Sequence, residues 1–122
     1  MRFWTLTLAI AGLLSSCDLY FPDHRVEVEG VVRDGDGAGV PDASVTFRRS
    51  RLLYDTPLAS THTDAAGAYR LTYRLEGCSE LFDGFRVVAE RVVQSDTTRA
   101  GEDVECTDEV QEVDFVLSRP GS

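Results

Sequence analysis

Ser60, His62 and Asp64 stand two residues apart, the spacing that puts three side chains on one face of a strand, and their types are those of a nucleophile, a base and an orienting acid. A straight row lacks the convergence and the oxyanion donors that acyl transfer needs, so His62 reads as an ordinary exposed strand residue and no catalytic residue is assigned. Asp34, Asp36 and Asp42 surround one turn, and Glu102, Asp103, Glu105, Asp108 and Glu109 crowd the acidic segment 96–112; such oxygens are what calcium takes when they converge. No EF-hand pattern is met. Turn carboxylates bonded to their own backbone and a solvated acidic loop account for them better, so no metal and no other cofactor is expected. The last group is Arg48, Arg49 and Arg51 followed by Leu52, Leu53 and Tyr54, a basic and apolar loop in an acidic chain. Arginine beside large apolar anchors is the composition of a partner-binding hot spot. The alternative has the leucines tucked over a sandwich edge and the arginines paired with the chain's own carboxylates.

The three cysteines divide by context. Cys78 and Cys106 lie in no CxxC pair, and His24 and His62 are far from both in sequence, so neither a metal centre nor a catalytic thiol is supported. Cys17 follows an uncharged run from Phe3 to Leu14. As a helix that run rises only about 18 Å, against a hydrocarbon core of roughly 30 Å, so it reads as the apolar region of an export signal and not as a permanent span. Leu14-Ser15-Ser16-Cys17 resembles the lipobox of bacterial lipoproteins. The resemblance implies cleavage before Cys17, diacylglycerol on its sulfur and a further acyl chain on its new amino group; residues 1–16 are then a cleaved signal. A cut after Ala9-Ile10-Ala11 would leave too short an apolar region. With Cys17 a thioether, Cys78 and Cys106 remain as an even pair in an oxidising compartment, and a disulfide between them stabilises the fold by about 3.5 kcal/mol on the chain-entropy model.

Charge constrains partners. All 12 basic residues are Arg, 21 residues are acidic, and the formal charge is −9. Such a field draws in neither nucleic acid nor an anionic membrane surface. Losing Arg2 with the signal makes it −10, so acyl chains and not electrostatics must hold the protein to a membrane. Which membrane of the envelope, outer or inner, stays open, although Asp18 resembles the inner-membrane retention signal of enteric bacteria.

These groups are positioned by strands. Val26 and Val28 alternate with Glu27 and Glu29; Ala43, Val45 and Phe47 with Ser44, Thr46 and Arg48; Tyr69, Leu71, Tyr73 and Leu75 with Arg70, Thr72 and Arg74; Val113, Phe115 and Leu117 with Glu112 and Asp114. Period two predicts half-buried strands. Phe85 to Val93 alternates less cleanly and reads as a strand covered on more of both sides, while Leu58 to Thr63 is polar enough for an edge. Turn signals fall between them, at Asp34-Gly35-Asp36-Gly37-Ala38-Gly39 and Asp64-Ala65-Ala66-Gly67. The expected fold is all-β: an antiparallel Greek-key β-sandwich of about seven strands over residues 26–118, with a lipidated tether at 17–25 and a tail at 119–122.

Three stretches carry a wider resemblance: Val28-Glu29-Gly30-Val31-Val32-Arg33-Asp34, Gly39-Val40-Pro41-Asp42-Ala43-Ser44-Val45-Thr46-Phe47, and Thr63-Asp64-Ala65-Ala66-Gly67-Ala68-Tyr69-Arg70-Leu71. Together they are similar to the carboxypeptidase regulatory-like family, whose domains are prealbumin-like (transthyretin-like) sandwiches related in shape to immunoglobulin domains. The resemblance implies a small non-catalytic module, with Asp64 and Gly67 making the turn that delivers Tyr69 to the core. The cysteine pair and the acidic segment before the last strand depart from the family and leave the sixth strand's place open. The transthyretin-like 5-hydroxyisourate hydrolases end in Tyr-Arg-Gly-Ser, whereas this chain ends Ser118-Arg119-Pro120-Gly121-Ser122, so their chemistry is not implied. The expected function is a non-catalytic envelope lipoprotein, structural or protein-binding, with the membrane reached through the lipid on Cys17 and an envelope protein as partner. The alternative is a calcium- or glycan-binding module. For glycans, the only Trp, Trp4, leaves with the signal, and only Tyr20 and Tyr54 remain as stacking surfaces.

Overall fold

The computed structural model describes residues 23–78 and 83–118; the proposed signal, Cys17, Tyr20 and the tail at 119–122 lie outside them. Alternation decides the architecture. Eight strands form, β1 (His24–Asp34), β2 (Ser44–Arg51), β3 (Tyr54–His62), β4 (Ala68–Leu75), β5 (Gly84–Val93), β6 (Asp96–Val104), β7 (Val110–Glu112) and β8 (Phe115–Leu117), with no helix among the described residues. One sheet runs β4-β1-β7, with β8 also on β1; the other runs β3-β2-β5-β6. Every second residue points into the gap between them, so Val26, Val28 and Val32 meet Val45, Phe47, Val87 and Ala89 in one core. The fold is an all-β sandwich. Chain neighbours repeatedly change sheet, so β1 pairs with β4 and β2 with β5, as a Greek key requires.

Four details differ from the sequence expectation. His24 and Arg25 belong to β1 and not to the tether. The doubtful sixth strand is a full edge strand, β6, and β5 buries only its inner face, leaving Val92 and Val93 exposed. The Leu58 to Thr63 segment is the opposite edge as expected, extended back to Tyr54, with a register shift opposite Phe47 and Arg48 and with Pro57 at an edge position where its missing N–H costs no ladder bond. Finally, the last strand pairs with β1 in parallel and breaks into β7 and β8.

The break has a cause in Gly30. The inward period of β1 runs Val26, Val28, Gly30, Val32, and the Val113 carbonyl occupies the place where a Cβ at position 30 would stand. The missing side chain lets the link between β7 and β8 press against β1. Val113 N–H donates to the Glu29 carbonyl at 2.9 Å, and Val31 N–H donates to the Asp114 carboxylate at 2.8 Å. Tyr69, opposite Gly30 on β4, donates its hydroxyl to the same Val113 carbonyl at 2.5 Å. That carbonyl is buried and satisfied.

At one end of the sandwich, two turns share one construction. Asp34 Oδ1 accepts from the N–H of Asp36 and Ala38, and Asp64 Oδ1 accepts from the N–H of Ala66 and Ala68, with Gly37 and Gly67 at positive φ. The second turn delivers Tyr69, which is buried, to the junction just described. Burial first, and the Asp114 charge second, push the Tyr69 phenol far above its ordinary value.

Two consequences can be measured. Gly30→Ala forces the β7–β8 link off β1 and should cost about 1–3 kcal/mol in urea unfolding, as overpacking does. Because the folded phenol holds its proton more tightly than the unfolded one, its stabilisation is complete below the unfolded value near pH 10 and is lost as pH rises above it. Urea midpoints at about pH 8 and about pH 11 should therefore fall less between the two for Tyr69→Phe than for the native chain.

Candidate functional site

The Arg48 to Tyr54 segment is a hairpin and not a loop. Arg48, Arg49 and Arg51 are strand residues of β2, Tyr54 opens β3 opposite Arg51, and only Leu52 and Leu53 form the turn. Sequence reasoning missed this because tight hairpin turns favour Asn and Gly, and here the positive-φ position, at φ 52°, is held by Leu52. The strands β2 and β3 outrun their sheet: β5 begins opposite Ser50, so the tip projects past it. Leu52, Leu53 and Tyr54 are 94%, 96% and 75% exposed. The leucines do not tuck over the sandwich edge.

The arginines, in contrast, do find partners. Arg48 Nε donates to Asp55 Oδ1 at 3.0 Å, Arg51 Nε stands 2.8 Å from Asp83 Oδ1, and the Arg49 guanidinium lies 5.5 Å from the centre of the Phe85 ring. The Asp83 side chain is 1% exposed, and it lies in a cavity of about 480 Å³ with Phe85, Val104, Glu105 and Cys106. Nothing in the sequence marked Asp83, since its partner is remote along the chain. Two of the three arginines are therefore neutralised by ion pairs, and beyond them the tip presents Leu52, Leu53 and Tyr54 to solvent.

The same end holds the cysteines. Cys78, just past β4, and Cys106, just past β6, form a disulfide that ties one sheet to the other. His24, remote in sequence, lies beside it: His24, Cys78 and Cys106 are the one set of three metal-ligating residues among the described residues whose donor atoms come within 4.8 Å of one another. Joined sulfurs carry no thiolate charge, so this is not a thiolate metal centre in the form observed. His24 Nδ1 instead faces Asp108 Oδ1 at 3.4 Å, and Asp108 Oδ1 accepts the Arg25 N–H at 2.9 Å.

Elsewhere the candidates scatter. Ser60 and His62 are exposed on edge strand β3, and Asp64 Oδ1 is committed to capping its own turn, so the three do not assemble. Asp34 caps its turn likewise, and it forms no ligand-distance set with Asp36 and Asp42 among the described residues. Glu102 and Asp103 fall opposite Val87 and Arg86 on β5, hence on different faces of the sheet. A groove of about 600 Å³ crosses the outer face of the second sheet, walled by the Arg48–Asp55 and Arg99–Glu90 pairs and lined by Thr46 and Val88. No aromatic ring lines it, so it offers no stacking surface to a sugar.

No family model matches the chain, and no curated protein matches it either.

Removing the Arg51 guanidinium would leave Asp83 buried without that charge. Arg51→Ala should lower stability by about 1–3 kcal/mol, the cost of leaving a buried carboxylate without its ion-pair partner, whereas Leu53→Ser should change the urea midpoint little.

Proposed function

We propose that this chain is a lipid-anchored, non-catalytic protein of the bacterial cell envelope, and that its sandwich, of carboxypeptidase regulatory-like type, is a structural or binding module whose contact surface is the β2–β3 hairpin. The observation that carries the binding role is the hairpin tip. A turn there would be served better by Asn and Gly, in backbone and in hydration, yet it holds two leucines followed by a tyrosine, all outside the core. Each leucine left in water forgoes about 1.5–3 kcal/mol of burial. Side chains placed at that cost without packing or turn chemistry to explain them suit a surface that is covered in use.

The anchoring half rests on Leu14-Ser15-Ser16-Cys17 after an uncharged run, and it agrees with a disulfide between the two remaining cysteines, the usage of exported chains. The non-catalytic half agrees with the dispersal of Ser60, His62 and Asp64. Growth with a clickable fatty acid tests the anchor: the native chain should take up label, and Cys17→Ala should abolish it. Label retained after that substitution would reject the reading.

A further inference from the structure

The hairpin tip and the incoming chain share one end of the sandwich. β1 starts at His24, opposite Leu75 where β4 ends, and the His24 ring lies against the disulfide that follows β4 and β6. Near Cys106, Val104 at the end of β6 lies opposite Phe85, and Phe85 lies opposite Arg49. Beyond the next pair, Ser50 with Gly84, β2 and β3 run on alone to Leu52 and Leu53. From Cys17 to Asp23 is six residue steps, no more than about 20 Å even when extended. An acylated Cys17 therefore keeps this end close to the bilayer, with the most exposed large apolar side chains of the described residues projecting from it.

We infer that the hairpin is a second membrane contact: Leu52, Leu53 and Tyr54 dip into the interface of the bilayer that holds the acyl chains of Cys17, and so fix the sandwich end-on. This rests on the lipoprotein reading and names the surface that covers the tip. Charge is not the source of the attraction. Asp55 and Asp83 neutralise Arg48 and Arg51, and at the same end Asp23 neutralises Arg74. The contact is apolar, with the Tyr54 ring suited to the headgroup level, where one side is wet and the other is not. It need not be strong. Tethering makes it intramolecular, at an effective concentration of about millimolar, so side chains too few to bind a membrane from solution suffice to orient a protein already held there.

The composition provides a clean reporter, because the only Trp, Trp4, lies in the proposed signal. Leu53→Trp places a probe in the tip, and Val92→Trp places one at an exposed position of β5 beside the β5–β6 turn, at the opposite end. The full chain is expressed in bacteria, and the mature lipoprotein is reconstituted into phosphatidylcholine vesicles with brominated acyl chains. Emission from position 53 should be quenched and blue-shifted, and emission from position 92 should be unchanged. An unquenched probe at 53 in protein that floats with the vesicles overturns the hairpin contact and leaves the anchor standing; a protein partner on the tip gives this result. Equal quenching at both positions, or quenching that requires phosphatidylglycerol, also overturns it. Intact mass and flotation of the native chain read the anchor separately, and absence of acyl mass on Cys17 defeats both readings.

Discussion

The fold depends on one close approach, that of the Val113 carbonyl to the inner face of β1 at Gly30. Without a side chain at position 30, the link between β7 and β8 can lie against β1, and the two short strands pair with it on either side of the contact. The Tyr69 hydroxyl then satisfies a carbonyl that would otherwise be buried bare. Three separate parts of the chain must be in place for that bond: β1 for the gap, the Asp64 turn and β4 for the phenol, and the last strand for the acceptor. The junction thus couples the closure of the first sheet to the correct docking of the turn at its far end.

The opposite end is organised by covalent and ionic ties. The disulfide crosses from one sheet to the other where the strands run out, and the Arg51–Asp83 pair joins β2 to the segment just before β5. Their combined effect is to hold rigid the base of a hairpin whose tip is not itself packed. Asp83 is costly to bury, and its presence under Arg51 makes the position of that hairpin specific. The hairpin so supported keeps its orientation relative to β1, as the proposed contact surface on a short tether requires.

Much of this was legible residue by residue. The alternation of Val45 and Phe47 with polar neighbours, and of Tyr69 and Leu71 with arginines, assigned strands and inner faces because burial on one side of a sheet imposes period two. Asp34 and Asp64 announced their turns because a short carboxylate caps the amides two and four residues ahead. The hairpin was not legible, since Leu52 carries none of the turn chemistry on which such readings depend. The parallel pairing of the last strand was equally hidden, because alternation is the same whichever direction a neighbour runs.

By itself, then, the amino-acid order determined an acidic, all-β chain with half-buried strands, two aspartate-capped turns, an even pair of cysteines and a third in a lipobox-like setting. These are local properties, written in spacing and side-chain type. Only the tertiary structure decided which residues meet: His24 with the disulfide, Arg51 with a buried Asp83, Tyr69 with the Val113 carbonyl, and the exposed Leu52 and Leu53 at the end where the chain enters. Such meetings follow from register and sheet closure between segments far apart in the chain, and no local pattern carries that information.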